Sequence, residues 1–412
     1  MKETLGRIAK IAMRLNPVEL VTPVNERDMR ESFLNAYEGG IKLPPYFIYD
    51  SRALNDATKR GRELVDLYNK FLILSKDCPA TRFEPRQERA VQGLIYRRIH
   101  EALQTYQMAV ALQASDDSTL SRMVQAKYGE PDGRLIAMAY DLTDWPTKKR
   151  ASTIDDSIVA LLRSLHFDAE NIAYFFRKAL NIYGIKGWNV SLDDEVCAID
   201  VRDKNRGGRP MVVIPSNRRV DGLKLLELIG HEIECHLRCT ENSRHFWREI
   251  LCDEYQPLVP LLAKSDDAFL YEGCAKRNDV MVSGSSAMPS PYYVIAIDRA
   301  LRGYSFIDTF EVIAGLQLMR DIPRETAYSR AWVITRRIYR GISNPIHGGY
   351  AFTKDWAYFG GYYNSNAANR LANDFSSMTT RDIAELHGAG IRFTTTHEHL
   401  KLCLDPWQLG II

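Results

Sequence analysis

At 412 residues with 45% hydrophobic content, the chain can bury a large core and accommodate two or three domains. Its formal charge of +2 is too small for a nucleic-acid binder on charge grounds. No run of about 18 apolar residues is available to cross a membrane. Met1 to Leu15 is basic and weakly amphipathic, without the long apolar centre and small-residue cleavage site of a secretory signal. Ser51 is placed to cap a helix that runs through Leu54, Leu64, Leu67 and Phe71, and Gln87 to Leu112 has the same periodicity. Asp144-Trp145-Pro146-Thr147 marks a soft boundary, so residues 1–150 read as a helical N-terminal region and residues 151–412 as a second unit.

Ile154 to Tyr183 reads as one long helix. Trp188 to Leu192, Glu195 to Arg202 and Met211 to Ile214 read as strands of a small sheet, with Gly207-Gly208 as a turn. Leu223, Leu225, Leu226, Leu228, Ile229, Ile233 and Leu237 then form an apolar helical stripe. That stripe carries His231, Glu232 and His236, an HExxxH string one residue longer than the HExxH of common zinc peptidases. Two neutral imidazoles ligate a metal, and the adjacent glutamate takes a proton from the activated water. On a straight α-helix, positions five apart point about 140° away from each other. Both imidazoles reach one ion only if the helix widens into a π-bulge or ends near His236.

A third ligand is expected downstream, and Glu272 in Tyr271-Glu272-Gly273-Cys274-Ala275 is the best candidate. Two histidines and one glutamate leave a fourth position open for water. Cys235 and Cys239 are a weaker alternative as soft ligands, because a hydrolase needs an open site more than a thiolate cage. The odd count of seven cysteines, with Cys235, Cys239, Cys252 and Cys274 crowding this region, points to a reducing cytoplasm. Beyond Glu272 the chain reads as mostly helical, with a break at Pro289-Ser290-Pro291. His397-Glu398-His399 has no evident partner ligand and reads as surface. The basic run Arg202, Lys204, Arg206, Arg209, Arg218 and Arg219 could draw an acidic tail but reads first as a solvated face.

These motifs resemble the tyrosine and glutamate carboxypeptidases of the MATCAP-like family, whose bacterial members carry a QEGLA motif. The resemblance rests on His231 to His236, on Glu272-Gly273-Cys274-Ala275, on Arg340-Gly341 and on Phe352-Thr353-Lys354-Asp355. Tyr128-Gly129-Glu130-Pro131, Trp188-Asn189-Val190, Arg238 and Asn242 add to it, so that it spans roughly residues 15 to 375. The chain departs from the pattern at Glu234, where relatives have Gly, at YEGCA in place of QEGLA, and between Arg340 and Phe352, with Asn344, Pro345 and His347.

The resemblance implies an α+β, mostly helical, zincin-like metallopeptidase: a small sheet beside the metal helix, a helical N-terminal region, and the catalytic unit in 151–412. It implies Zn2+ on His231, His236 and Glu272, with Glu232 as general base, removing a C-terminal residue from a peptide or protein tail. No nucleic-acid or membrane partner is expected. A carboxypeptidase also needs a cation for the substrate's free carboxylate. Arg340, in the family's Arg-Gly position, is the first candidate, Lys354 supplies a second charge, and Tyr350 could donate to the oxyanion. A zinc endopeptidase on the same core, or a binding protein with a vestigial site, are the alternatives; terminal trimming separates the first, and an intact set of four site residues argues against the second.

Overall fold

The computed structural model describes residues 1–75, 80, 85–144, 154–194, 196, 199–202, 210–263, 268–363, 409 and 411. The fold is α+β and mostly helical, with two small sheets among the described residues. The expected Gly207-Gly208 turn and His397-Glu398-His399 lie outside the described residues.

The N-terminal helices follow from their apolar spacing. Ser51–Leu74 buries Leu54, Leu64, Leu67 and Phe71 on one face. Its cap is Asp50 rather than Ser51: the Asp50 carboxylate accepts from the backbone amides of Arg52 at 2.8 Å and Ala53 at 3.3 Å. Asp caps as well as Ser, and here it stands one position earlier. The helix pairs with Pro85–Gln113. Together with Lys2–Ala12 they share a core with Trp247, Tyr255, Leu258 and Leu262 from much later in the chain.

The long helix expected over Ile154 to Tyr183 is two helices, Asp156–Ser164 and Ala169–Ile182. Between them the chain extends, and His166–Phe167 pairs antiparallel with Val220–Asp221. Asp168 restarts the helix by accepting from the amide of Asn171 at 2.9 Å.

The three-stranded sheet has Met211–Pro215 in the middle, parallel to Asn189–Asp193 and antiparallel to Asp200–Arg202. The central strand is buried on both faces, as the run Val212-Val213-Ile214 requires. Trp188, at the entry to the first strand, donates from its indole to Glu241 at 2.8 Å. Arg244 holds the same carboxylate at 2.5 Å and lies over the Trp188 ring. The sheet is thereby tied to the helix that carries the histidines.

That helix runs on from Asp221, whose carboxylate caps it at the amide of Lys224. It is α-helical over Gly222–Leu228, π-helical over Ile229–Leu237, and α-helical again over Arg238–Ile250. Helix Ala268–Ser283 packs against it. After the break at Pro289 to Pro291 come Tyr292–Leu301, Phe306–Leu318 and Arg324–Tyr339. These three bury Phe306, Phe310, Trp332 and Tyr339 around Phe33 and Phe47 of the N-terminal region. A short turn Thr353–Asp355 leads into a helix over residues 356–363. No described helix is long and apolar enough to cross a membrane.

Candidate metal centre

The π-helical segment resolves the spacing problem of HExxxH. Widening the helix to i→i+5 hydrogen bonding brings residues five apart toward one face. The His231 and His236 rings stand 4.8 Å apart, edge to face at 84°. Helix Ala268–Ser283 brings Glu272 to them. Its Oε2 lies 3.8 Å from His231 Nε2 and 3.5 Å from His236 Nε2. One ligand atom from each of the three side chains falls within 4.8 Å of the others, the one such group among the described residues. Ligand atoms about 2.0–2.2 Å from a tetrahedral zinc stand about 3.3 Å apart, so small side-chain adjustments close this set on an ion.

Glycine sets the approach of the third ligand. A Cβ on Gly273 would meet the backbone carbonyl carbon of Gly361 at 2.3 Å. The Glu272-Gly273 pair therefore lies directly against the helix that follows Lys354. As a result the Lys354 ammonium donates to Glu272 Oε1 at 3.2 Å. Burial alone would raise the Glu272 pKa, but Lys354, His236 and His231 outweigh it and hold the carboxyl well below its ordinary value.

Glu232 behaves differently. Its pKa is pushed up to about 7, first by burial and then by the nearby carboxylates of Glu272, Asp279 and Asp200, against a lowering by His231. Two acids in one site are thus driven apart, the arrangement in which one holds charge and the other exchanges a proton. Glu234 is buried and receives Arg238 at 3.1 Å, and Arg238 stacks on Tyr183. It is structural.

Of the three expected substrate-binding residues, only Lys354 meets the metal-ligand set. Arg340 is 4% exposed, donates to Asp355 Oδ2 at 3.0 Å and lies over the Phe352 ring at 4.3 Å. Its charge is committed inside the core. Tyr350 is also buried, and its hydroxyl donates to the Arg340 carbonyl at 2.7 Å, so it is spent on closing the loop after Arg340. Spacing could not show this, because the partner of Arg340 lies in the Phe-Thr-Lys-Asp block itself.

The structure adds residues that the sequence did not single out. Arg337 forks onto Asp355 with Nε at 3.0 Å and NH2 at 2.5 Å, and it lies over the rings of Tyr293 and Tyr358. The Lys354 ammonium also lies over Tyr358, at 5.7 Å. Burial would raise the Asp355 pKa, but Arg337, Arg340 and Lys354 keep it below its ordinary value. Asp279, two helical turns after Glu272, sits behind His231; the seven-residue spacing on one helix face was the available signal. Tyr128, from the N-terminal region, accepts at its carbonyl from the Trp356 indole at 2.9 Å, and its ring lies 5.3 Å from that of Phe352.

No curated protein matches the chain. Residues 292–387 match the family model described as microtubule-associated tyrosine carboxypeptidase, a stretch that includes Arg340-Gly341 and Phe352 to Asp355.

Proposed function

We propose that the chain is a zinc-dependent carboxypeptidase that removes a C-terminal residue from a peptide or protein tail. The observation that carries this reading is the convergence of His231, His236 and Glu272, made possible by the π-helical turn, with Glu232 beside them and the Lys354 cation at their edge. The donor set fits zinc: two imidazole nitrogens and one carboxylate, with room for a fourth group. When bound, zinc supplies Lewis acidity, which acidifies a water and polarises a carbonyl.

The chain's own residues do the rest. Glu232 accepts a proton from the attacking water and returns it to the leaving amine, a role suited to a carboxyl whose pKa lies near neutrality. Lys354 binds the free carboxylate of the substrate. With Glu272 committed to a metal, the Lys354 ammonium is the charge left for an anion, and its side chain is 21% exposed. Arg337, at 27% exposed, also lies over Tyr358, at 6.0 Å, and is a second cation of the cluster. Arg340 and Tyr350 act one step back: Arg340 helps hold Asp355, and Tyr350 holds the Arg340 carbonyl. The catalytic unit is taken as residues 151–412, with the N-terminal region packed against it through shared cores. Cys235 and Cys252 are not joined in a disulfide, which suits a reducing cytoplasm.

Incubating zinc-loaded protein with a peptide library of varied C-termini tests the reading by mass spectrometry. The expected products are one residue shorter at the C-terminus. Internal cleavage of the same peptides would replace the carboxypeptidase with an endopeptidase.

A further inference from the structure

Behind His231 stands a polar assembly to which nothing above gives a role. Asp279 is 2% exposed, and both its carboxylate oxygens lie 3.2 Å from His231 Nδ1. Lys276, one turn earlier on the same helix, donates to Asp279 Oδ2 at 2.7 Å. The next residue back, Asn278, donates its side-chain amide to the carbonyl of Gly230 at 2.8 Å. Gly230 lies inside the π-helical segment, one position before His231. Two adjacent residues of helix Ala268–Ser283 thus grip the neighbouring helix at two points, its backbone and its first histidine. The same helix carries Glu272.

We propose that Asp279 is the positioning residue of the metal centre: it accepts the Nδ1 proton of His231, which fixes the tautomer that presents Nε2 toward Glu272 and His236. This rests on the metal reading above. The chemistry calls for a hydrogen-bond acceptor at this point. A neutral imidazole has one N–H and one lone pair, and the nitrogen that ligates must carry the lone pair. An acceptor at Nδ1 selects that tautomer, turns the ring to a single angle and raises the basicity of Nε2. A carboxylate buried here as an isolated charge would be costly, and Lys276 supplies both a donor and an opposite charge. Asn278 completes the device. It gives the Gly230 carbonyl a side-chain donor at the point where the helix widens, so the π-turn and the ring are set by one element.

Metal affinity tests this, read by competition with a chromophoric zinc chelator on the full chain. Asp279→Asn keeps the shape but offers an amide in place of a full-time acceptor, and it should weaken zinc binding about 10–100-fold. Asp298→Asn, which removes an equally buried carboxylate paired with Arg302 at 2.8 Å, is the control and should leave affinity unchanged. The Co2+-substituted proteins should show an altered d–d spectrum for Asp279→Asn and not for the control. If Asp279→Asn does not fold, Lys276→Met leaves the carboxylate in place and should weaken affinity in the same direction. Wild type binding zinc tightly with both the Asp279 and Lys276 variants matching it would overturn the inference alone. Wild type taking up no zinc would instead overturn the metal reading, and this role with it.

Discussion

Glu232 and Glu272 are both carboxylates, four decades of sequence apart in chain position but neighbours in space, and their surroundings give them opposite tasks. Glu272 has Lys354 and two imidazoles around it, which hold its pKa well below the ordinary value, as the proposed ligand role requires. Glu232 has burial and three nearby carboxylates, which push it up to about 7 and make it able to take and return a proton. Glu232→Gln keeps the shape of the side chain, so zinc content should remain near wild type while the rate falls by about 10²–10⁴-fold. A near-native rate from that variant would remove Glu232 from the chemistry. His236→Ala should lose most of the metal by elemental analysis, and full occupancy there would sink the ligand set. At this scale the sequence was informative where chemistry is local. The His231-Glu232-His236 string and Glu272 stand out in the sequence, and the fold brings His231, His236 and Glu272 together. Arg340 and Tyr350 could not be placed, because what decides their role is long-range pairing: Asp355 takes the guanidinium, and the Arg340 carbonyl takes the hydroxyl.

Among the elements, the π-helical turn and the contact of Gly273 with Gly361 make the site. The five-residue spacing of the histidines demanded a distorted helix, and Ile229–Leu237 supplies it. Gly273 offered no such signal, since a glycine inside a helix acquires meaning only when the backbone facing it is known. Gly273→Val places branched carbons where Gly361 now lies, at 2.3 Å from an ideal Cβ, and backbone cannot yield as a flexible side chain would. We expect a loss of about 1–3 kcal/mol or more in denaturant unfolding. Zinc affinity should fall as well, because the helix that carries Glu272 is forced away from the one that follows Lys354. Unchanged stability and affinity would mean that this contact does not set the site. Misread elements have equally local causes. Asp168 splits the helix expected over Ile154 to Tyr183, and Asp50 takes the cap expected of Ser51, in both instances by one carboxylate accepting backbone amides.

Across the whole molecule, the site is assembled by elements far apart in sequence, and a buried charge cluster joins them. Asp355 is fully buried and holds Arg337 and Arg340 from the preceding long helix while standing next to Lys354. Its pKa in the folded protein lies below the ordinary value. Such a group contributes stability that is complete above its unfolded pKa of about 3.9 and is lost as pH falls through the folded value. Removing the carboxylate leaves buried guanidinium groups without their acceptor, so Asp355→Asn should cost about 3–5 kcal/mol near neutral pH. The difference between wild type and variant should begin to shrink as the medium is acidified below about pH 4, where the unfolded chain takes up the proton, and should level off only below the lower folded pKa of Asp355. A constant difference across that range would show that the carboxylate's charge is not what holds the cluster. The mostly helical α+β architecture was legible from periodicity. The joining of residues 5–20 to residues 247–263, and of Phe33 and Phe47 to the C-terminal helices, was not, since apolar stripes do not say which other stripe covers them. The account as a whole holds that this assembly acts on free C-termini through Lys354. The most direct measurement compares the cleavage rates of one peptide as its free acid and as its C-terminal amide, in wild type and in Lys354→Met. Wild type should trim one residue from the acid and leave the amide largely intact, and Lys354→Met should lose most of that preference; equal rates on acid and amide in wild type would contradict the account.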